Sequence, residues 1–267
     1  MKHEAFLRTH PVFTSKEFEH YLYSRGVAKR TREALIRYYC QTGRIARVKR
    51  GLFVTVPAGF DPEIFEADPF LLASRLTPDA VLSYHTALEF YGNAYSVRNV
   101  FVYSAARPAE PLSFHGRLFR GARFPSVLKK RGKEHFGVHN AESSGANLRV
   151  TDLERTMVDT LDRPYLSGSW EEIWRSLESI AFFNIENILE YVFMLGNATT
   201  SAKVGFFLEQ HRNELMVEDS HLKQLMKLRP RSPHYLSRSR RESGRFVPEW
   251  NLVVPVEVLE RSWMEVL

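Results

Sequence analysis

Glu4 to Arg8 mixes polar and apolar residues as one short amphipathic stretch, and Pro11 closes it. Thr14-Ser15-Lys16-Glu17 then has capping-box spacing, in which the Thr14 hydroxyl accepts an orphan helix amide while Glu17 reaches back. Behind it Phe18, Tyr21 and Leu22 fall at helical intervals, and Arg25-Gly26 ends the segment. A second helix is expected from about Thr31 to Gln41, with Ala34, Leu35, Tyr38 and Tyr39 on its inner side. Arg32, Glu33, Arg37, Cys40 and Gln41 form the outer side, and Gly43 stops the helix. Ile45 to Val56 reads as a two-stranded ribbon that turns around Lys49-Arg50-Gly51, and Pro57 ends it. This order of elements predicts a winged helix-turn-helix over residues 1–58, a module that sets its last helix in the major groove of DNA.

Phe60-Asp61-Pro62 is a linker candidate, and residues 62–267 read as a larger domain. A helix is expected from about Pro69 to Arg75, then a turn at Thr77-Pro78-Asp79. Val81 to Gly92 reads as one helix capped by Ser83 and stopped by Gly92. Between Asn99 and Val150 the pattern becomes short β-type runs at 100–103, 112–114, 119–124, 135–138 and 148–150. The basic stretch Lys129-Lys130-Arg131-Gly132-Lys133 reads as a surface turn of that antiparallel or mixed sheet. Thr151 to Glu154 and Ser169 to Glu172 repeat the capping-box spacing, with helices behind them. The second carries Trp170, Ile173, Trp174, Leu177 and Ile180 on one face, and further helices are expected at 185–195, 200–212 and 219–228. Arg229 to Arg245 reads as a long exposed loop and Trp250 to Pro255 as a strand. Strands followed by helices predict an α+β fold with an N-terminal winged helix-turn-helix and a larger mixed C-terminal domain.

Charge sharpens this picture. The formal net charge is +6, yet residues 1–56 carry 12 Lys/Arg against 4 Asp/Glu, while 57–267 carry 25 against 27. The whole positive excess therefore sits in the segment expected to be the winged helix, where cations neutralise phosphates and release counterions. The candidate DNA-contacting residues are Lys29, Arg30, Arg32, Arg37, Gln41, Arg44, Arg47, Lys49 and Arg50. Arg32, Arg37 and Gln41 suit base edges, and Lys49 and Arg50 suit phosphates. The alternative for the same charges is a basic domain that docks on an acidic surface. At 44% hydrophobic and 25% charged residues the chain is neither wholly disordered nor a small disulfide scaffold. One cysteine, Cys40, excludes an intramolecular disulfide. With no signal-peptide pattern and no long apolar run, a cytoplasmic protein with no membrane association is expected.

Catalytic patterns are sparse. No HExxH, Asp-x-Asp or Glu-x-Lys motif occurs, and the ten histidines are scattered. His85 lies near Ser83 and Glu89, but on a helix Ser83 and His85 point apart, and a satisfied histidine explains them better. Asp152, Glu154, Asp159 and Asp162 have the chemistry to hold Mg²⁺, yet helix-dipole placement and ion pairs account for them, Glu154 with Arg155 and Asp159 with Arg163. The expectation is a non-enzyme with no cofactor and no metal. The competing functions are a metal-dependent enzyme delivered to nucleic acid by its basic end, and a protein–protein adaptor.

Several segments together resemble one family, the AbiEi-like winged-helix antitoxins and repressors of abortive-infection (type IV) toxin–antitoxin systems. Gly43 to Phe53 looks like that family's wing, with Phe53 where Tyr is usual, and Leu82 to Gly92 resembles its Ser-Ala-Leu helix. Val150 to Asp159, followed by Arg163-Pro164, is similar to its most recognisable stretch, with Ser167-Gly168-Ser169 in place of the usual Gly-Gly. Lys203 to Glu209 and Trp250-x-Leu252-x-Val254-Pro255 complete the match. The resemblance implies a bacterial repressor that binds inverted repeats in double-stranded DNA of its own promoter. It also implies an antitoxin, part of phage defence, that counters a nucleotidyltransferase-type toxin. Lys129, Lys130, Arg131 and Lys133, and Arg238, Arg240, Arg241 and Arg245, are candidate secondary DNA contacts.

Overall fold

Local rules shape the N-terminal elements, and a shared aromatic core joins them. The computed structural model describes residues 3–237 and 244–264, which divide into two compact units. The first contains 1–82, 98–123 and 139–150, so the linker candidate Phe60-Asp61-Pro62 lies within it. It begins with α1 (Glu4–Thr9), β1 (Val12–Thr14), α2 (Ser15–Ser24), α3 (Lys29–Gln41), β2 (Ile45–Lys49) and β3 (Leu52–Thr55). The capping box forms as expected: Thr14 Oγ1 accepts from Glu17 N, and the Glu17 carboxylate accepts from Thr14 N. β1 is an addition to the expected elements. It pairs antiparallel with β3 through Val12↔Val54, Phe13↔Phe53 and Thr14↔Leu52, giving the sheet order β1-β3-β2. Phe6, Phe13, Phe18, Leu22, Tyr39, Ile45 and Phe53 close a core beneath these elements.

Next come α4 (Pro69–Ser74), β4 (Val81–Leu82), β5 (Val100–Ala105), β6 (Leu112–Phe114), β7 (Arg117–Arg123), β8 (Val138–Ser143) and β9 (Ala146–Thr151). The six strands form one mixed sheet, ordered β6-β7-β5-β4-β9-β8. β5 and β7 run parallel from Val100↔Leu118 to Ala105↔Arg123, whereas β4 is antiparallel to β5 and parallel to β9. Asp68 caps α4 by accepting from Phe70 N and Leu71 N, and Phe70 packs edge-on against Phe101. The single helix expected over 81–92 is corrected here. Val81-Leu82 is sheet, Tyr84 takes a φ of +58°, and the helix begins only at His85 without a side-chain cap.

The second unit is mainly helical. Its elements are α5 (His85–Phe90), α6 (Ser126–Arg131), α7 (Leu153–Asp162), α8 (Trp170–Glu178), α9 (Ile185–Leu195), α10 (Ala198–Gln210) and α11 (Asp219–Met226), followed by β10 (His234–Tyr235), β11 (Gly244–Val247), β12 (Leu252–Pro255) and α12 (Val256–Leu259). The basic run at 129–133 is largely helix rather than turn: Pro125 opens α6 and Gly132, at φ +62°, ends it. Cations in that last turn suit the helix dipole. Asp152, not Thr151, caps α7, because Thr151 still belongs to β9. Ser169 does cap α8, accepting from Glu172 N. The loop expected at 229–245 contains β10 and the start of β11, which flank β12 in a three-stranded sheet.

Trp250 is wholly buried, and its Nε1 donates to Glu209 Oε2 at 2.7 Å. Gly205 on α10 makes room for it, since a Cβ there would lie 2.1 Å from two of its ring carbons. Gly205→Ala is therefore expected to cost about 1–3 kcal/mol through overpacking, read as a lower urea midpoint with an unchanged m-value.

Candidate nucleic-acid interface

Helical periodicity divides α3 cleanly. Arg30, Glu33, Ala34, Arg37, Tyr38 and Gln41 are exposed along one stripe, while Leu35, Ile36, Tyr39 and Cys40 pack inward. The inner face is thus rotated from the expected one: Ala34 and Tyr38 lie outside, and Cys40 is half-buried. Burial raises the Cys40 thiol, partly offset by Arg47, and burial also raises the Tyr39 phenol. The stripe presents two guanidiniums, one carboxamide, one aromatic ring and one carboxylate, Glu33; guanidiniums and a carboxamide suit purine edges, and a carboxylate suits the cytosine amino group. Adjacency to Tyr39 makes Tyr38 read as core in the sequence. Its spacing of four from Ala34 and eight from Arg30 is the signal that places it outside.

Arg32 leaves the stripe. Its Nη1 donates to Glu19 O at 3.4 Å and its guanidinium lies 5.6 Å over the Tyr23 ring, so it fastens α2 to α3. Arg44, half-buried just before β2, pairs with Glu4 on α1. The Lys49 ammonium donates to Leu76 O at 2.9 Å, and burial lowers its pKa. These three candidates, all partly exposed, are engaged within the protein. Lys29, Arg30, Arg37 and Gln41 are exposed, as are Arg47 on β2 and Arg50 at the ribbon turn. Gly51 completes that turn at φ +80°, and its carbonyl accepts from Ser15 N at 2.9 Å, which seats the ribbon tip on the start of α2. Lys16, exposed in the first turn of α2, joins this cationic surface. Sequence reasoning misses it because the capping box alone accounts for its neighbours.

In the second unit, Lys129, Lys130, Arg131 and Lys133 are exposed, and Arg131 Nη1 donates to Met194 O at 3.1 Å. Arg245 on β11 pairs with Glu260 at 3.0 Å, and Arg238, Arg240 and Arg241 lie outside the described residues. His85 Nε2 lies 3.0 Å from Glu172 Oε1, whose carboxylate also accepts from Ser96 N. Burial raises the Glu172 carboxyl, but the Ser96 and His85 contacts outweigh it and hold it below the usual range. Asp159 pairs with Arg155 rather than Arg163, at 3.2 Å, while the Arg163 side chain turns to Asp162 at 3.4 Å. Glu154 Oε1 accepts from Asn184 N at 2.9 Å, in place of the expected pairing with Arg155. Among the described residues no three His, Cys, Asp or Glu side chains gather as a metal site, and no helix is long and apolar enough to cross a membrane.

No protein-family model matches the chain, and no curated protein does. Among solved structures it is similar to the crystal structure of the RV2827C protein from Mycobacterium tuberculosis, with 19% sequence identity and a TM-score of 0.65 over 98% of this chain and 93% of that one. At that identity the likeness is one of fold, a mixed α+β architecture.

Proposed function

We propose that the chain is a double-stranded DNA-binding repressor whose elements α1 to β3 act as a winged helix-turn-helix, with α3 in the major groove and the β2–β3 ribbon against the backbone. The observation that carries this is the exposed stripe of Arg30, Arg37, Tyr38 and Gln41 beside the exposed Arg47 and Arg50, in the segment that holds all of the chain's positive excess. The resemblance to AbiEi-like proteins extends the proposal. The DNA is the promoter of its own operon, at inverted repeats, and the chain serves as a cytoplasmic antitoxin against a nucleotidyltransferase-type toxin.

The ribbon supplies a direct test. Because Lys49 is held by Leu76, the informative pair is Arg47 and Arg50. Arg47→Ala with Arg50→Ala is expected to flatten the log–log salt dependence of DNA binding by about 1.8, or ~0.9 for each phosphate no longer neutralised. Fluorescence anisotropy over a salt series measures this, and an unchanged slope contradicts the ribbon's role.

A further inference from the structure

Two contacts join the cationic N-terminal elements to the segment that follows α4. Lys49 donates to Leu76 O, and Arg75 Nη1 pairs with Glu17 Oε1 at 3.1 Å in the first turn of α2. Arg75 also lines a cleft of about 210 Å³ with Ser74, Asn140, Asn147 and Arg149. None of the described residues lining it is acidic. Arg149 Nη2 donates to Pro78 O at 2.8 Å, which holds that guanidinium at the wall of the cleft. The Arg75 Nε is buried with no hydrogen-bond partner among the described residues. A guanidinium has five N–H donors, so both arginines retain donors beyond these bonds, and Asn140 and Asn147, both exposed, add neutral ones.

Two guanidiniums and two carboxamides without an acidic lining residue make a host for an oxyanion, while the Ser74 hydroxyl donates to Leu71 O at 2.7 Å. Glu17 offsets part of the Arg75 charge, while no ion pair to Arg149 occurs among the described residues. We infer that this cleft holds a backbone phosphate of the same duplex that α3 reads, a conclusion that rests on the DNA-binding proposal above. Continuity selects the backbone over a free anion, because the ribbon reaches the neighbour of a lining residue: Lys49, just before the Arg50-Gly51 turn, donates to the carbonyl of Leu76, next to Arg75.

The test is anisotropy on the duplex from directly upstream of the gene, with a scrambled duplex beside it, for wild type, Arg50→Ala, Arg149→Gln and Asn147→Asp. Arg149→Gln is expected to flatten the log–log slope by about 0.9, so that a fourfold rise in salt weakens binding ~3.5-fold less than in wild type. Preference for the native duplex is retained, since a phosphate contact carries no sequence information. Asn147→Asp removes no cation but places a carboxylate in the cleft, and is expected to weaken both duplexes alike. It decides the question if Arg149→Gln fails to fold. Wild-type slope and affinity in Arg149→Gln and Asn147→Asp, with the slope reduced in Arg50→Ala, overturns the cleft alone. A wild type that binds neither duplex overturns the DNA-binding proposal beneath it.

Discussion

Replacing Arg30 and Arg37 together by Glu is expected to weaken binding to the upstream duplex by roughly 100-fold or more. The two residues are exposed on the same stripe of α3, seven positions and therefore ~10.5 Å apart along the helix. A good bidentate contact to a base edge is worth about 1–3 kcal/mol of discrimination, and two such contacts multiply. Reversal also sets two carboxylates against the phosphates, which deepens the loss at low salt. Neither side chain supports the core, so thermal unfolding should stay within about 0.5 kcal/mol of wild type. Affinity within about threefold of wild type, in a folded double variant, would remove α3 from the interface.

The second large effect concerns stability. Arg155→Ala is expected to cost about 3–5 kcal/mol, because it strips one partner from a buried ion pair. Arg155 Nε donates to Asp159, and its Nη1 donates to the carbonyls of Glu134 and Phe136 at 2.7 and 2.6 Å. The guanidinium also lies 5.4 Å from the Tyr191 ring, whose hydroxyl donates to the other Asp159 oxygen at 2.7 Å. Burial already pushes the Asp159 carboxyl above its ordinary range, against the pull of Arg155 and Tyr191. Without the guanidinium that buried carboxylate keeps only the Tyr191 hydroxyl and loses its counter-charge, and two part-buried carbonyls lose their donor. Urea denaturation checks the loss. A change below about 1 kcal/mol would show that water reaches this cluster.

Local rules make much of this fold legible from the chain alone. The Thr14–Glu17 box, the end of α3 before Gly43 and the ribbon turn at Arg50-Gly51 each depend on a few adjacent residues. β1 is not legible in this way, because three residues after a proline carry too little periodicity and its partner lies about forty positions away in β3. Val81-Leu82 merges into a helical pattern for a similar reason: its sheet partners are Tyr103, Ser104 and Val150. The candidate interface is legible as a charge excess but not residue by residue. What engages Arg44 and Lys49 within the protein is Glu4 and Leu76, remote in sequence, and no local pattern names them. Arg75 and Arg149 are invisible for the same reason, since only the fold of the first unit brings α4 and β9 to one cleft.

The most direct measurement is fluorescence anisotropy of the full chain on duplex DNA from directly upstream of its gene, against a scrambled duplex, at two salt concentrations. A preference for the native duplex that survives the higher salt is the predicted result, because base-edge contacts from α3 persist when phosphate attraction is screened. Equal, salt-labile binding to both duplexes would contradict it, leaving the basic end as an electrostatic handle that reads no sequence.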